Sequence, residues 1–297
     1  MADGLASSTA GAVLAVGAAI AFLRHLWRET NRKRANELAK AISKLGTNLE
    51  NLESRVVSLE AKLPSRKDIQ KVQSTLENEV VTQMSGVIGV YSSLSPSFPL
   101  VPFGRSAIAG DCALRLVRLV MALKPRWVIE AGSGLSTVVI ARALELVGEG
   151  GVVISLEHKV EWAEDTRAML AEQGLQQHSR VILAPLVPTE VGTEEFLWYD
   201  LTEVTLPDEI GLLFVDGPPG SSGAMARYPA LPLLFDRLKP GGVVVLDDAN
   251  RSEEQSIVRR WRAQFPGLSV RFHKDLKGTA ELLRGKDPDL SPRDQPF

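Results

Sequence analysis

Trp127-Val128-Ile129-Glu130-Ala131-Gly132-Ser133-Gly134-Leu135-Ser136-Thr137 is the stretch that decides the fold. Trp127, Val128 and Ile129 form a short apolar run of strand type, and the residues from Leu135 to Val147 repeat apolar side chains at helical spacing. Gly132 and Gly134 lie between the two, so the segment reads as strand, tight turn, helix. Glycine suits such a turn because the chain bends sharply and because a ligand that approaches the backbone closely would collide with a β-carbon. The helix that starts near Ser136 presents unpaired backbone N–H groups to that ligand.

On the N-terminal side, Ile108, Leu114, Val117, Leu119 and Leu123 predict a helix that ends at Lys124-Pro125. On the C-terminal side, strands at 152–156, 180–183, 211–215 and 242–246 are interleaved with helices at 160–173, 225–238 and 253–264. Two further runs, 268–272 and 279–283, read as closing strands. Strands alternating with helices predict an α/β fold with a doubly wound, mostly parallel Rossmann-like sheet. Ligands in such sheets bind beyond the carboxyl ends of the strands. The residues at those ends are Glu130, Glu157, Ala184, Asp216, and Asp247 with Asp248.

A glycine turn is shared with nicotinamide and flavin enzymes, but Thr137 stands where their fingerprint has a third small residue. Glu130 before the turn is foreign to that fingerprint too, and Glu157 at the second strand end is placed to accept hydrogen bonds from a ribose diol. Further motifs follow in order: Ser155-Leu156-Glu157-His158, Asp216-Gly217-Pro218-Pro219-Gly220, Arg227-Tyr228-Pro229-Ala230-Leu231-Pro232 and Leu246-Asp247-Asp248-Ala249-Asn250-Arg251. Over residues 103–284 the chain thereby resembles class I S-adenosylmethionine-dependent methyltransferases, in a bacterial O-methyltransferase-like branch. The resemblance implies S-adenosylmethionine as cofactor, with Glu130, Gly132, Ser133, Gly134, Ser136 and Thr137 around its methionine part and sugar. It implies Glu157 on the ribose hydroxyls; adjacent His158 is expected beside the adenine, with a surface histidine as the alternative, and Asp216 is a further cofactor-binding candidate. The acceptor it implies is a hydroxyl on a glycan, a lipid-linked sugar or a small metabolite.

Asp216, Asp247 and Asp248 end neighbouring predicted strands, so their carboxylates are expected to converge. Hard oxygen ligands of this kind suit Mg²⁺, which would lower the pKa of an acceptor hydroxyl. The set is similar to that of metal-dependent catechol-type methyltransferases, which use two aspartates and an asparagine. Here Asp248 stands where the asparagine would adjoin, and Asn250 comes two residues later. The alternative is that Asp216 or Asp247 touches the methionine amine or serves as general base. Arg227 and Tyr228 are expected at the acceptor site and Trp198, Tyr199 and Asp200 in a lid, with ordinary packing or loop capping as the alternative for each, and Trp162 is expected in ordinary packing. Two rival functions remain at this stage: a noncatalytic S-adenosylmethionine-binding scaffold, and an NAD-dependent oxidoreductase, which Thr137 disfavours.

The chain has 297 residues and a formal net charge of -2, so no global basic field points to nucleic acid. Its single cysteine, Cys112, makes no intramolecular disulfide. Residues 5–23 are uncharged and apolar, about 19 residues, the length of a membrane-crossing helix. Arg24, His25, Arg28, Arg32, Lys33 and Arg34 follow, so the positive-inside rule predicts a single-pass anchor with the remainder cytoplasmic. A cleaved signal peptide and a soluble helix are the alternatives. Ala35, Leu38, Ile42, Leu45, Leu49, Leu52, Val56, Leu59 and Leu63 then alternate spacings of three and four, a heptad seam that predicts a coiled-coil homodimer. The alternative there is an amphipathic helix packed on its own catalytic domain. Pro64 stops this helix and a second restarts after Ser65. The expected organisation is an anchor with basic flank at 1–34, a helical stalk at 35–90, a linker at 91–105 and a methyltransferase domain at 106–297.

Overall fold

The computed structural model describes residues 32–60, 65–104 and 107–285. The chain divides into two compact units, Met1–Thr75 and Leu76–Phe297. The first contains helix α1 (Arg32–Glu60) and the beginning of helix α2 (Arg66–Leu94). The restart after Pro64 is a capping box: the Ser65 backbone N–H donates to Asp68 Oδ2 at 3.0 Å, and the Asp68 N–H donates to Ser65 Oγ at 3.2 Å. On α1 the seam side chains Leu45, Leu52 and Val56 face solvent. The segment 5–23 read as an anchor lies outside the described residues; among the described residues no helix is long and apolar enough to cross a membrane.

The unit boundary falls within α2, whose C-terminal part belongs to the second unit. The residues read as a linker from 91 are helical up to Leu94, because Val90 and Leu94 bury their side chains in the core. Close approach makes this possible: a β-carbon on Gly86 would lie 2.3 Å from the carbonyl carbon of Gly110, the first residue of helix α3 (Gly110–Leu123).

A seven-stranded sheet forms the second unit, in the order β3-β2-β1-β6-β7-β9-β8. Its members are β1 (Trp127–Ala131), β2 (Val152–Glu157), β3 (Ser179–Leu183), β6 (Ile210–Val215), β7 (Leu238–Leu246), β8 (Leu268–His273) and β9 (Thr279–Arg284). β9 is antiparallel to both neighbours, whereas β3, β2, β1, β6 and β7 run parallel. Successive side chains alternate between two buried faces, as parallel strands covered on both sides require. Val128, Val153, Leu212, Phe214 and Val245 pack with α3 and helix α4 (Leu135–Val147). Ile129, Ile154, Leu213, Val244 and Leu246 pack on the other side, against Trp261 and Ile257 of helix α7 (Ser252–Gln264). The strand order reverses between β1 and β6, and this switch point fixes where a ligand crevice opens.

Two elements depart from the sequence expectation. A separate antiparallel hairpin, β4 (Leu186–Val191) and β5 (Glu194–Tyr199), fills a stretch with no strand predicted. Phe196 and Trp198 alternate inward along β5, and the charged Glu194 and Glu195 had masked that alternation. The helix expected over 225–238 contracts to α6 (Ala230–Leu234). Met225 sits at φ 54, in the left-handed region, and Pro229 disfavours helical backbone at Tyr228 before it.

Glu130 joins β1 to α4. It is fully buried, and three hydroxyls close on its carboxyl group: Ser136 on Oε1, and Thr137 (2.6 Å) with Ser155 on Oε2. Ser155 is its cross-strand partner on β2, so one side chain ties two strands to the first turn of α4. Burial drives the Glu130 carboxyl up to about 7 from 4.5, against the pull of the three donors. The folded state therefore binds the extra proton between these values, and stability falls as pH rises from 4.5 to about 7. Urea unfolding of the ligand-free protein at a series of pH values should show this slope. Glu130→Gln should flatten it, matching wild type below about pH 4 and exceeding it by about 3 kcal/mol above pH 8; parallel curves for the two proteins would refute the assignment.

Candidate active site

The turn from β1 into α4 needs its glycines for their backbone. Gly132 has φ +107 and Gly134 φ +147. A β-carbon at Gly134 would meet nothing within 4 Å, and one at Gly132 nothing closer than Gly217 N at 3.6 Å, so the floor of the turn is open. Gly217 follows β6, so the two strand ends on either side of the switch point meet at the glycines. Beside them Glu157 ends β2, almost wholly buried and rigidly held. Its Oε1 accepts from the backbone N–H groups of His158 (2.8 Å) and Lys159 (3.0 Å), and its Oε2 from Ser133 Oγ (3.1 Å).

These groups border one cavity of about 530 Å³, within the usual range for a cofactor with a small partner. Gly132, Ser133, Gly134, Ser136, Glu157 and His158 line it, as the sequence places them. Helix α5 (Val160–Glu172) supplies a further wall through Trp162, Asp165, Thr166 and Met169. Trp162, read from the sequence as packing, is 47% exposed and edge-on to His158 at 5.9 Å between ring centroids. The spacing i, i+3, i+4, i+7 of those four residues was the signal available for this wall.

Glu130 and Thr137 do not line the cavity. Both are fully buried behind the turn, because their side chains are spent on each other and on the start of α4: Thr137 Oγ1 donates to Glu130 and also accepts from the Gly134 N–H at 3.1 Å. The expected lid is not a lid. Trp198 and Tyr199 belong to the core, and Asp200 caps the following turn by accepting from the N–H and hydroxyl of Thr202. Tyr199 instead explains the glycine after Asp216, since a β-carbon on Gly217 would lie 2.3 Å from its hydroxyl. Burial, then Glu157 and Asp216, push that phenol well above its ordinary pKa.

Asp216, at the end of β6, and Asp247 and Asp248, at the end of β7, do converge, with one carboxylate oxygen from each within 4.8 Å of the others. Asp216 and Asp248 line the cavity and Asp247 does not. Asp247 is completely buried, and among the described residues neither of its oxygens has a hydrogen-bond partner. Burial raises its pKa, with Asp248 adding to the effect. The Asp216 side chain is 25% exposed; desolvation and the nearby Asp247 push its carboxyl up to about 7, with Arg227 opposing.

Arg227 lies among these acids. Its Nη2 donates to Asp216 Oδ1 (3.1 Å) and Asp248 Oδ2 (2.8 Å), and its Nη1 to the main-chain oxygen of Asp247 (3.0 Å). Tyr228, paired with it in the sequence reading, instead packs in the core and donates to Gln264 Oε1 at 2.7 Å. The donor set is chemically suited to Mg²⁺, but oxygens of two of its three carboxylates are already bound by the guanidinium, so a divalent ion does not fit the cluster as it stands. Asn250 adds no ligand either: it is exposed and donates to the main-chain oxygen of Asp275 at 3.4 Å.

A family described as a methyltransferase domain matches residues 129–249, from the middle of β1 through the acids after β7. No curated protein matches the chain. Among solved structures, the methyltransferase PaMTH1 of Podospora anserina, determined with S-adenosylhomocysteine, superposes with a TM-score of 0.50 at 14% identity, covering 76% of this chain and 98% of that one. The O-methyltransferase TomG of Streptomyces achromogenes, involved in tomaymycin synthesis and determined with S-adenosylmethionine, gives 0.46 at 16% identity, over 69% and 90% of the two chains. An O-methyltransferase of Bacillus cereus bound to S-adenosylhomocysteine gives 0.45 at 18%, with the same coverage. The matched segment holds the glycine turn, Glu157, Asp216 and Asp248 on one cavity, and residues 129–249 of this chain match a methyltransferase domain.

Proposed function

We propose that the protein transfers the methyl group of S-adenosylmethionine to a hydroxyl oxygen of a sugar or other small hydroxylated acceptor, with Asp216 as the base. The observation that carries this reading is the half-buried Asp216 carboxyl, open to the cavity directly across from the glycine turn and held near neutral pKa. When bound, S-adenosylmethionine supplies an electrophilic methyl group on a sulfonium. The open floor at Gly132 and Gly134 admits the ligand against the backbone, and the first turn of α4 offers its N–H groups. Glu157, oriented by three donors, accepts from the ribose diol, while His158 and the exposed face of Trp162 flank the base. Glu130 and Thr137 hold the turn from behind. The acceptor hydroxyl would lose its proton to Asp216 as its oxygen bonds the methyl carbon, the methyl–sulfur bond breaking and its electron pair staying on sulfur, so that a neutral thioether leaves.

The uncharged segment 5–23 and the basic residues after it anchor the chain in a membrane, so the acceptor is met at the cytoplasmic face. The solvent-facing seam of α1 pairs with the same seam of a second copy. Burial of Leu45, Leu52 and Val56 is the gain that drives this association.

Calorimetry should detect S-adenosylmethionine binding and none of NAD. Gly134→Val should weaken the former about tenfold or more, through backbone conformation and ligand approach alone; NAD binding in its place would overturn the reading. With labelled cofactor and a panel of hydroxylated acceptors, Asp216→Asn should lower turnover by about 10²- to 10⁴-fold. Wild-type kcat/KM should climb with pH through about 7 and then level, because the base must be ionised; a flat profile would remove Asp216 from that role. Light scattering on the chain from residue 32 onward should report a dimer, and Leu45→Asp with Leu52→Asp a monomer; a wild-type monomer would end the pairing argument.

A further inference from the structure

We infer that Arg227 is the resident cation of the strand-end acid cluster, a positioning residue that does for Asp216 and Asp248 what a divalent ion would otherwise do, and that the protein takes up no such ion. The inference rests on the methyltransferase reading of this cavity. The geometry is specific. One terminal nitrogen, Nη2, bridges a carboxylate from each of two neighbouring strands, at 3.1 and 2.8 Å. The other, Nη1, binds the main-chain oxygen of Asp247 and stands 3.7 Å from Glu254 Oε1, an almost fully buried acid of α7. A planar, always-charged group with donors in a fixed fork is thus placed where a cation would have to sit to reach both strands.

Burial supports the same conclusion. The Arg227 side chain is only 5% exposed, and a guanidinium is tolerated there only where carboxylates surround it. Asp248 is committed further, since Arg251 Nη1 lies 3.0 Å from the same Oδ2 that Arg227 holds. Lys277 also lines the cavity, its Nζ 3.1 Å from the main-chain oxygen of Ala107. A divalent ion entering this cluster would meet three cationic side chains and find the shared oxygens of Asp216 and Asp248 already occupied. What remains open is the cavity-facing carboxyl of Asp216, aligned by the guanidinium on its other oxygen.

The test titrates the full chain with Mn²⁺, following free Mn²⁺ by electron paramagnetic resonance and the melting temperature in parallel. Wild type should neither deplete the Mn²⁺ signal nor shift its melting temperature at micromolar to millimolar metal, and chelator should leave S-adenosylmethionine affinity unchanged by calorimetry. Arg227→Met empties the guanidinium position and leaves the three carboxylates, so it should gain Mn²⁺ affinity by about tenfold or more. Arg227→Lys keeps a charge there and should not. Micromolar Mn²⁺ binding by wild type, lost in Asp248→Asn, overturns the inference. So does a folded Arg227→Met protein with no gain. If Arg227→Met does not fold, the wild-type titration decides. Failure of S-adenosylmethionine to bind wild type would count against the cofactor reading and leave the Mn²⁺ outcome standing.

Discussion

The buried carboxyl of Glu130 is the constraint on which the site depends. An acid removed from water costs free energy unless donors surround it, and here three hydroxyls do so from β2 and from the first turn of α4. Those contacts fix where α4 begins relative to the sheet, hence where its N–H groups point and how Gly132 and Gly134 are presented. Ser133, carried on the same turn, then reaches Glu157 at the next strand end. The cavity wall is therefore a chain of hydrogen bonds that starts at a residue the cavity does not touch.

A second group of charges, around Arg227, has a different logic. Three aspartates and Glu254 are gathered at the ends of β6 and β7 and the start of α7, more negative charge than a closed site tolerates without a cation. The guanidinium supplies it from the irregular segment before α6, where Pro229 and the left-handed Met225 prevent a regular helix. Had 225–238 been the helix its composition suggests, Arg227 would have sat on a helix face, with no reason to reach the strand ends.

The two units follow separate rules. Around the sheet, apolar side chains are consumed by packing on both faces, and α2 joins in through Gly86, Val90 and Leu94. On α1 the seam residues Leu45, Leu52 and Val56 are exposed.

The sequence by itself determined the fold class, the order of nearly every strand and helix, the glycine turn and the identity of the strand-end acids. These are readable because periodicity, glycine placement and strand ends are local properties of the chain. Glu157 and Asp216 were legible for that reason, and the structure leaves them on the cavity wall. Only the tertiary structure decided which of the other candidates face the ligand. Glu130 turned inward onto its cross-strand partner Ser155 and onto Thr137 of α4, and Asp247 is buried after β7. Trp162, on α5, lines the cavity, and Tyr199 packs in the core. Arg227 lines the cavity as expected of an acceptor-site residue, but its contacts also bridge positions 216, 247 and 248, and such nonlocal pairing leaves no trace in spacing along the chain.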